Sequence, residues 1–175
     1  MSGIIGVDPN MKSGVIGKYP VGHILQTKQY VKTSKQIVTA GPGSSTDVLT
    51  LAITPSSINN KILITFALSV GAAGGGEGAN IQIERGGSAI GVGDARGNRS
   101  RATTVCGEQN SDSAMGSASG IYLDSPSSTS SLTYTIAVHG WSSSHPVNIN
   151  CTGSDGNSVN YSTAISTLTL QEIQG

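Results

Sequence analysis

Arg96, Arg99 and Arg101, with Asp94 and Asn98 among them, form the densest charge cluster in the chain. Guanidinium groups on one loop can hold an acidic partner or a glycan through charge-assisted hydrogen bonds. An ion pair with Asp94, Glu108 or Asp112, between loops or between subunits, is the simpler use of the same residues. Trp141 stands in the serine-rich run Gly140-Trp141-Ser142-Ser143-Ser144-His145-Pro146. An indole there can stack on a sugar or anchor a protein contact. Packing on the rim of its own domain would serve it equally well.

Other chemistry finds little support. A zinc site needs three or four ligands, and His23, His139, His145, Cys106 and Cys151 show no tight spacing, so no metal is expected. Gly71-Ala72-Ala73-Gly74-Gly75-Gly76-Glu77-Gly78 resembles a phosphate-cradling loop in composition only, because an alternating strand follows instead of a helix. Neither Gly91–Gly97 nor Gly14-Val15-Ile16-Gly17-Lys18 has the spacing of a nucleotide loop. No Gly-x-Ser-x-Gly elbow lies between a strand and a helix. The ten acids are scattered, and Asp124 and Asp155 read as turn residues, which leaves no carboxylate pair for glycoside cleavage. No enzyme activity and no cofactor are expected. Cys106 and Cys151 read as buried thiols on strands.

The elements that must position these residues are strands. In 175 residues there are 24 Gly, 26 Ser and 16 Thr, and only 11% are charged, against about 25% in an average domain. Such a composition excludes coiled coils and helical bundles. Zero formal net charge argues against a nucleic-acid partner. No apolar run reaches the roughly 18 residues of a spanning helix, so no membrane insertion is expected. From His23 onward apolar residues recur with period 2, most clearly over Lys61–Val70, where Ile62, Ile64, Phe66, Leu68 and Val70 alternate with Leu63, Thr65, Ala67 and Ser69. Leu49, Leu51 and Ile53 repeat the pattern. Further strands are expected at Asn80–Arg85, Ser88–Val92, Arg101–Cys106, Gly120–Leu123, Leu132–Val138, Val147–Cys151 and Ser162–Glu172. Short strands separated by turn signals describe an all-β, antiparallel, jelly-roll-like sandwich.

Charge divides the chain near residue 35. Residues 1–35 carry five lysines against Asp8, while 36–175 are net acidic. The first 22 residues are too rich in glycine and proline for regular structure and too apolar for a solvated linker. An anchoring arm over 1–35 and a sandwich over 36–175 follow. Ile4, Ile5, Val15 and Ile16 would lie on a neighbouring surface, and lysines such as Lys12 and Lys18 would face acidic groups. The sandwich's hydroxyl-rich faces carry little charge to keep copies apart, which predicts an oligomer.

Three segments carry a resemblance: Glu84-Arg85-Gly86-Gly87-Ser88-Ala89-Ile90-Gly91-Val92-Gly93-Asp94, Tyr122-Leu123-Asp124-Ser125-Pro126, and Gly153-Ser154-Asp155-Gly156-Asn157 running to Ser166-Thr167-Leu168-Thr169-Leu170-Gln171-Glu172-Ile173. Over roughly residues 40–175 the chain resembles a β-sandwich domain of virion structural and fibre proteins of tailed, especially marine, bacteriophages. The opening Ser2-Gly3-Ile4-Ile5-Gly6 through Gly14–Pro20 is similar to the leader of small phage virion proteins. The resemblance implies a non-enzymatic structural role, a homotrimer, and other virion proteins of capsid or tail as partners. The expected location is the virion. A tail-fibre module that reads host polysaccharide through loops 94–101 and 139–146 is the alternative.

The strand register gives a sharp test. Ile64→Asp should abolish folding and Thr65→Asp should leave a folded chain, because adjacent strand residues point to opposite faces. An unpaired carboxylate at position 64 costs several kcal/mol against a total stability of about 5–15 kcal/mol. Circular dichroism melts of both variants check it. Equal tolerance would mean that the register is wrong.

Overall fold

The computed structural model describes residues 21–72, 77–154 and 156–175. Among them every regular element is a strand: β1 (Ile24–Lys32), β2 (Gln36–Val38), β3 (Thr46–Ile53), β4 (Lys61–Ala72), β5 (Glu77–Arg85), β6 (Ser88–Ile90), β7 (Thr104–Gln109), β8 (Gly116–Asp124), β9 (Leu132–Gly140), β10 (Val147–Ile149) and β11 (Ser166–Ile173). The pairings are antiparallel and nested. β1 pairs with β11, β3 with β9, β4 with β8 and β5 with β7. One sheet therefore runs β1-β11-β4-β8, with short β10 and β2 continuing beside the end of β4. The other runs β3-β9-β5-β7, with β6 sharing the β7 edge of β5. This is the jelly-roll order of a β-sandwich, as the sequence pattern predicts.

Period-2 alternation builds the core. On β4, Ile62, Ile64, Phe66, Leu68 and Val70 are all buried, and they face Ala79, Ile81 and Ile83 of β5 with Tyr134, Ile136 and Val138 of β9. A bulge in β3 between Asp47 and Leu49 turns both Val48 and Leu49 inward. The inward side of β8 narrows to a glycine at Gly120, where the Phe66 ring needs the room, and carries Tyr122 and Asp124 beyond it. A Cβ on Gly120, the cross-strand partner of Phe66, would come within 2.5 Å of that ring. The β5–β6 hairpin turns through Gly86 and Gly87 with φ of 57° and 78°, the left-handed pair that a type I′ turn demands.

Several strand boundaries differ from the sequence pattern: β7 begins at Thr104 rather than Arg101, β8 at Gly116 rather than Gly120, and β11 at Ser166 rather than Ser162. Residues 24–32, grouped by charge with the arm, are β1 of the sheet, bonded along the whole of β11. The chain enters beside its own end, where the Gly22 N–H donates to the Gln174 carbonyl at 2.7 Å. Asp124, expected in a turn, is the last residue of β8 and is buried. The proposed anchoring residues Ile4, Ile5, Lys12, Val15, Ile16 and Lys18 lie outside the described residues.

Three buried polar nodes tie the apolar layers in place. Asp124 accepts hydrogen bonds at 2.6 Å from both Arg85 of β5 and Tyr134 of β9, bridging the two sheets. Burial, reinforced by the Asp124 bond, pushes the Tyr134 phenol far above its ordinary range, so it remains a donor. Asn150, in a left-handed conformation (φ 66°), is fully buried. Its amide donates to the Lys32 and Ser34 carbonyls, and its oxygen accepts from Ser166 at 2.6 Å. The Glu172 carboxylate accepts from Gln26, from the backbone and hydroxyl of Ser56, and from Asn60, all between 2.5 and 2.7 Å.

Burial by itself would raise the Glu172 pKa, but these donors outweigh it and hold the carboxyl below its ordinary value. A carboxyl depressed in the folded state adds stability above its unfolded pKa, and that stability is lost as pH falls through the folded pKa. The melting temperature of the wild type should therefore drop on acidification from pH 5 to 3. Glu172→Gln should cost about 1–3 kcal/mol at pH 7, because it turns an amide toward buried donors. Its melting temperature should fall less with acid than that of the wild type.

Candidate functional site

The outer face of the second sheet is roofed by two loops, and a groove of about 540 Å³ lies between them. One wall is the β2–β3 loop. There Pro42-Gly43 occupies the centre of a turn closed by Ser44 N–H to the Gly41 carbonyl at 3.2 Å, with Gly43 at φ 89°. Proline first and a left-handed glycine second is the pattern of a type II turn. The Gly140 N–H fixes this loop to β9 by donating to the Ala40 carbonyl at 2.8 Å. The other wall is Asn98–Arg101, from the connection between β6 and β7.

That second loop is stapled to the sheet at several points. Gln82 of β5 donates its side-chain amide to the Arg101 carbonyl at 2.5 Å, and the Arg101 Nε donates to the Gly93 carbonyl at 2.7 Å. Thr103 donates its backbone N–H to the Ile81 carbonyl, and its hydroxyl accepts the Ile83 N–H. The floor is Gln82 together with His139 of β9, which is buried. The His139 Nδ1 lies 3.0 Å from the Gly140 carbonyl. A carbonyl only accepts, so Nδ1 carries a proton.

The structure gathers some of the expected residues and separates others. Arg99 and Arg101 line the groove. Arg96 lines a shallower hollow that meets it at Asn98 and Arg99. Among the described residues no carboxylate pairs with Arg96, Arg99 or Arg101. Trp141 does not line the groove. Its indole covers Gly78, where a Cβ would come within 2.6 Å of the ring, and the Trp141 backbone N–H donates to the Gly78 carbonyl. The tryptophan is a 43% exposed cover over the start of β5. Loops 94–101 and 139–146 thus meet at the groove only through His139.

Sequence reasoning reached His139 only as the first residue of loop 139–146 and did not bring Gln82 or the Pro42-Gly43 loop into the site. Outward parity on β5 and β9, and the proline–glycine turn between two strands, were the signals for them. Cys106 and Cys151 are buried and carry no disulfide, and burial pushes the Cys106 thiol up, away from the reactive thiolate. Among the described residues no group of three histidine, cysteine, aspartate or glutamate side chains is placed to hold a metal ion. No protein-family model matches the chain, and no curated protein matches it.

The Gln82 amide bond is the accessible test of how the groove wall is held. Gln82→Leu removes one hydrogen bond, about 1 kcal/mol of loop attachment, which raises the detached population about five-fold. Tryptic cleavage after Arg96, Arg99 or Arg101 should quicken by that factor while the global melt moves little. Unchanged cleavage would mean that the loop is held elsewhere.

Proposed function

We propose that the protein is a structural subunit of a bacteriophage particle, a short fibre or decoration protein on the capsid or tail. In this reading three copies pack through the outer face of the first sheet, and the N-terminal arm anchors them to other virion proteins. The sequence resemblance supports the phage setting. The observation that carries the packing is the chemistry of that outer face.

Its four strands present Leu63, Thr65, Ala67 and Ser69 from β4, and the register sets Leu123, Ile121, Ser119 and Ser117 of β8 beside them. On the other side follow Gln171, Thr169 and Thr167 of β11, then Thr27, Gln29 and Val31 of β1. None of these outward side chains is charged, and the nearest charge on β4 is Lys61 at the rim. An ordinary surface is about one quarter charged. Ile121 is 68% exposed, Leu123 45% and Val31 43%, which places apolar groups in water at both margins of the face.

A surface of hydroxyls, amides and aliphatic groups meets its own kind without like-charge repulsion or buried unpaired ions. The second sheet contrasts with it, since its outward positions include Asp47 and Glu84.

Ile121→Asp tests the reading. Light scattering of the wild type at micromolar concentration should give about three times the 17.7 kDa chain mass. The variant should run at the chain mass with its melt still cooperative. A monomeric wild type, or a trimeric variant, would contradict the packing.

A further inference from the structure

We propose that the groove over the second sheet binds a carboxylated saccharide, a polymer of uronic-acid type. The inference goes beyond the subunit reading and stands apart from it, since the groove lies on the opposite sheet from the uncharged face.

Three observations converge. Two guanidinium groups, Arg99 and Arg101, line the groove without a carboxylate partner among the described residues, and no acid is in its lining. Their loop is pinned to β5 through Gln82, and the Arg101 side chain is held further by its Nε bond to the Gly93 carbonyl. Guanidinium groups so placed favour a planar carboxylate.

The floor specifies the rest of the ligand. Gln82 gives one of its two amide N–H groups to the Arg101 carbonyl and keeps Oε1 and the second N–H, so it both accepts and donates, and the His139 ring lies beside it on the floor. Sulfate offers no hydrogen at neutral pH and inorganic phosphate one or two, whereas a sugar ring supplies several hydroxyls that donate and accept, and its C6 carboxylate meets the arginines. Ser45 and Asn98 add groups that donate or accept as a sugar hydroxyl requires. The volume lies in the range of small-ligand sites, and the hollow at Arg96 continues the groove beyond Arg99, as suits a chain rather than a single ring.

The test titrates the full-length protein with tetrasaccharides of galacturonate, of mannuronate and guluronate, and of hyaluronan, followed by calorimetry and by the His139 ring resonances. A neutral galactose tetrasaccharide and inorganic phosphate are the comparators. At least one uronate should bind saturably and shift His139, and neutral sugar and phosphate should bind at least ten-fold more weakly. Arg99→Ala with Arg101→Ala should weaken uronate binding at least ten-fold. Lys61→Ala, which removes a charge far along the other sheet, should change it less than two-fold. Ser45→Trp, which fills the groove and alters no charge, should abolish binding and covers the case in which the double variant does not fold. The proposal is overturned if no uronate binds at millimolar concentration, if phosphate binds as well as the uronate, or if Lys61→Ala weakens binding as much as the arginine variants. Trimer mass in every variant keeps failure here distinct from failure of the subunit reading.

Discussion

Contact between the inward face of β4 and those of β5 and β9 is the interaction on which everything else in this molecule rests. It is almost wholly aliphatic. One phenylalanine, one tryptophan and five tyrosines serve the entire chain, so isoleucine, leucine and valine supply the burial. Burial at about 25 cal/mol per Å² drives collapse but does not specify which strand lies beside which. The polar nodes add that direction. Asp124 locks β8 of one sheet to β5 and β9 of the other, Glu172 joins β11 to β1 and to the β3–β4 turn, and Asn150 collects the end of β1 and the start of β11. Each node has its hydrogen bonds met by residues far away in sequence, so a slipped register would strand several buried polar groups at once.

The parts of this arrangement that could be foreseen are those with a local cause. β4 alternates through five inward residues, and β9 through Tyr134, Ile136 and Val138, so period alone places both. β8 was foreseen only from Gly120, because its first inward residues, Gly116 and Ala118, are small and give no apolar alternation; Gly120 makes room for the Phe66 ring and Gly116 for Gln109 and Cys106. Asp124 looked like a turn residue because Ser125-Pro126 follows it, and its true partners, Arg85 and Tyr134, are set by sheet packing. Charge misplaced β1: Lys28 sits on the strand's inner parity but sends its ammonium to the Ala52 carbonyl at 3.1 Å. In the groove, the arginines announced themselves by clustering. His139 and Gln82 did not, because what qualifies them is a place on an outward sheet face beneath loops from elsewhere in the chain.

The two outer faces of the sandwich are chemically unlike, and that difference frames the functional reading. One is a smooth sheet of threonine, serine, glutamine and aliphatic side chains without a charge. The other is carved by two loops into a groove whose guanidinium groups meet no carboxylate among the described residues. A subunit that packs on its fellows through the first face would present the second outward, where a polymer could reach it. Low surface charge, a liability for an isolated soluble domain, would suit a face that other copies cover, as proposed above.

Solvent exposure of the first face, measured residue by residue, tests this account most directly. Methyl NMR of the intact protein with a soluble gadolinium chelate reports which side chains water reaches. If copies cover the face, the methyls of Ile121 and Leu123 will resist broadening although a single chain leaves them open, while those of Ile58 and Val159, exposed at 59% and 101%, will broaden fully. Broadening of Ile121 equal to that of Val159 would show a face open to solvent and would contradict the account.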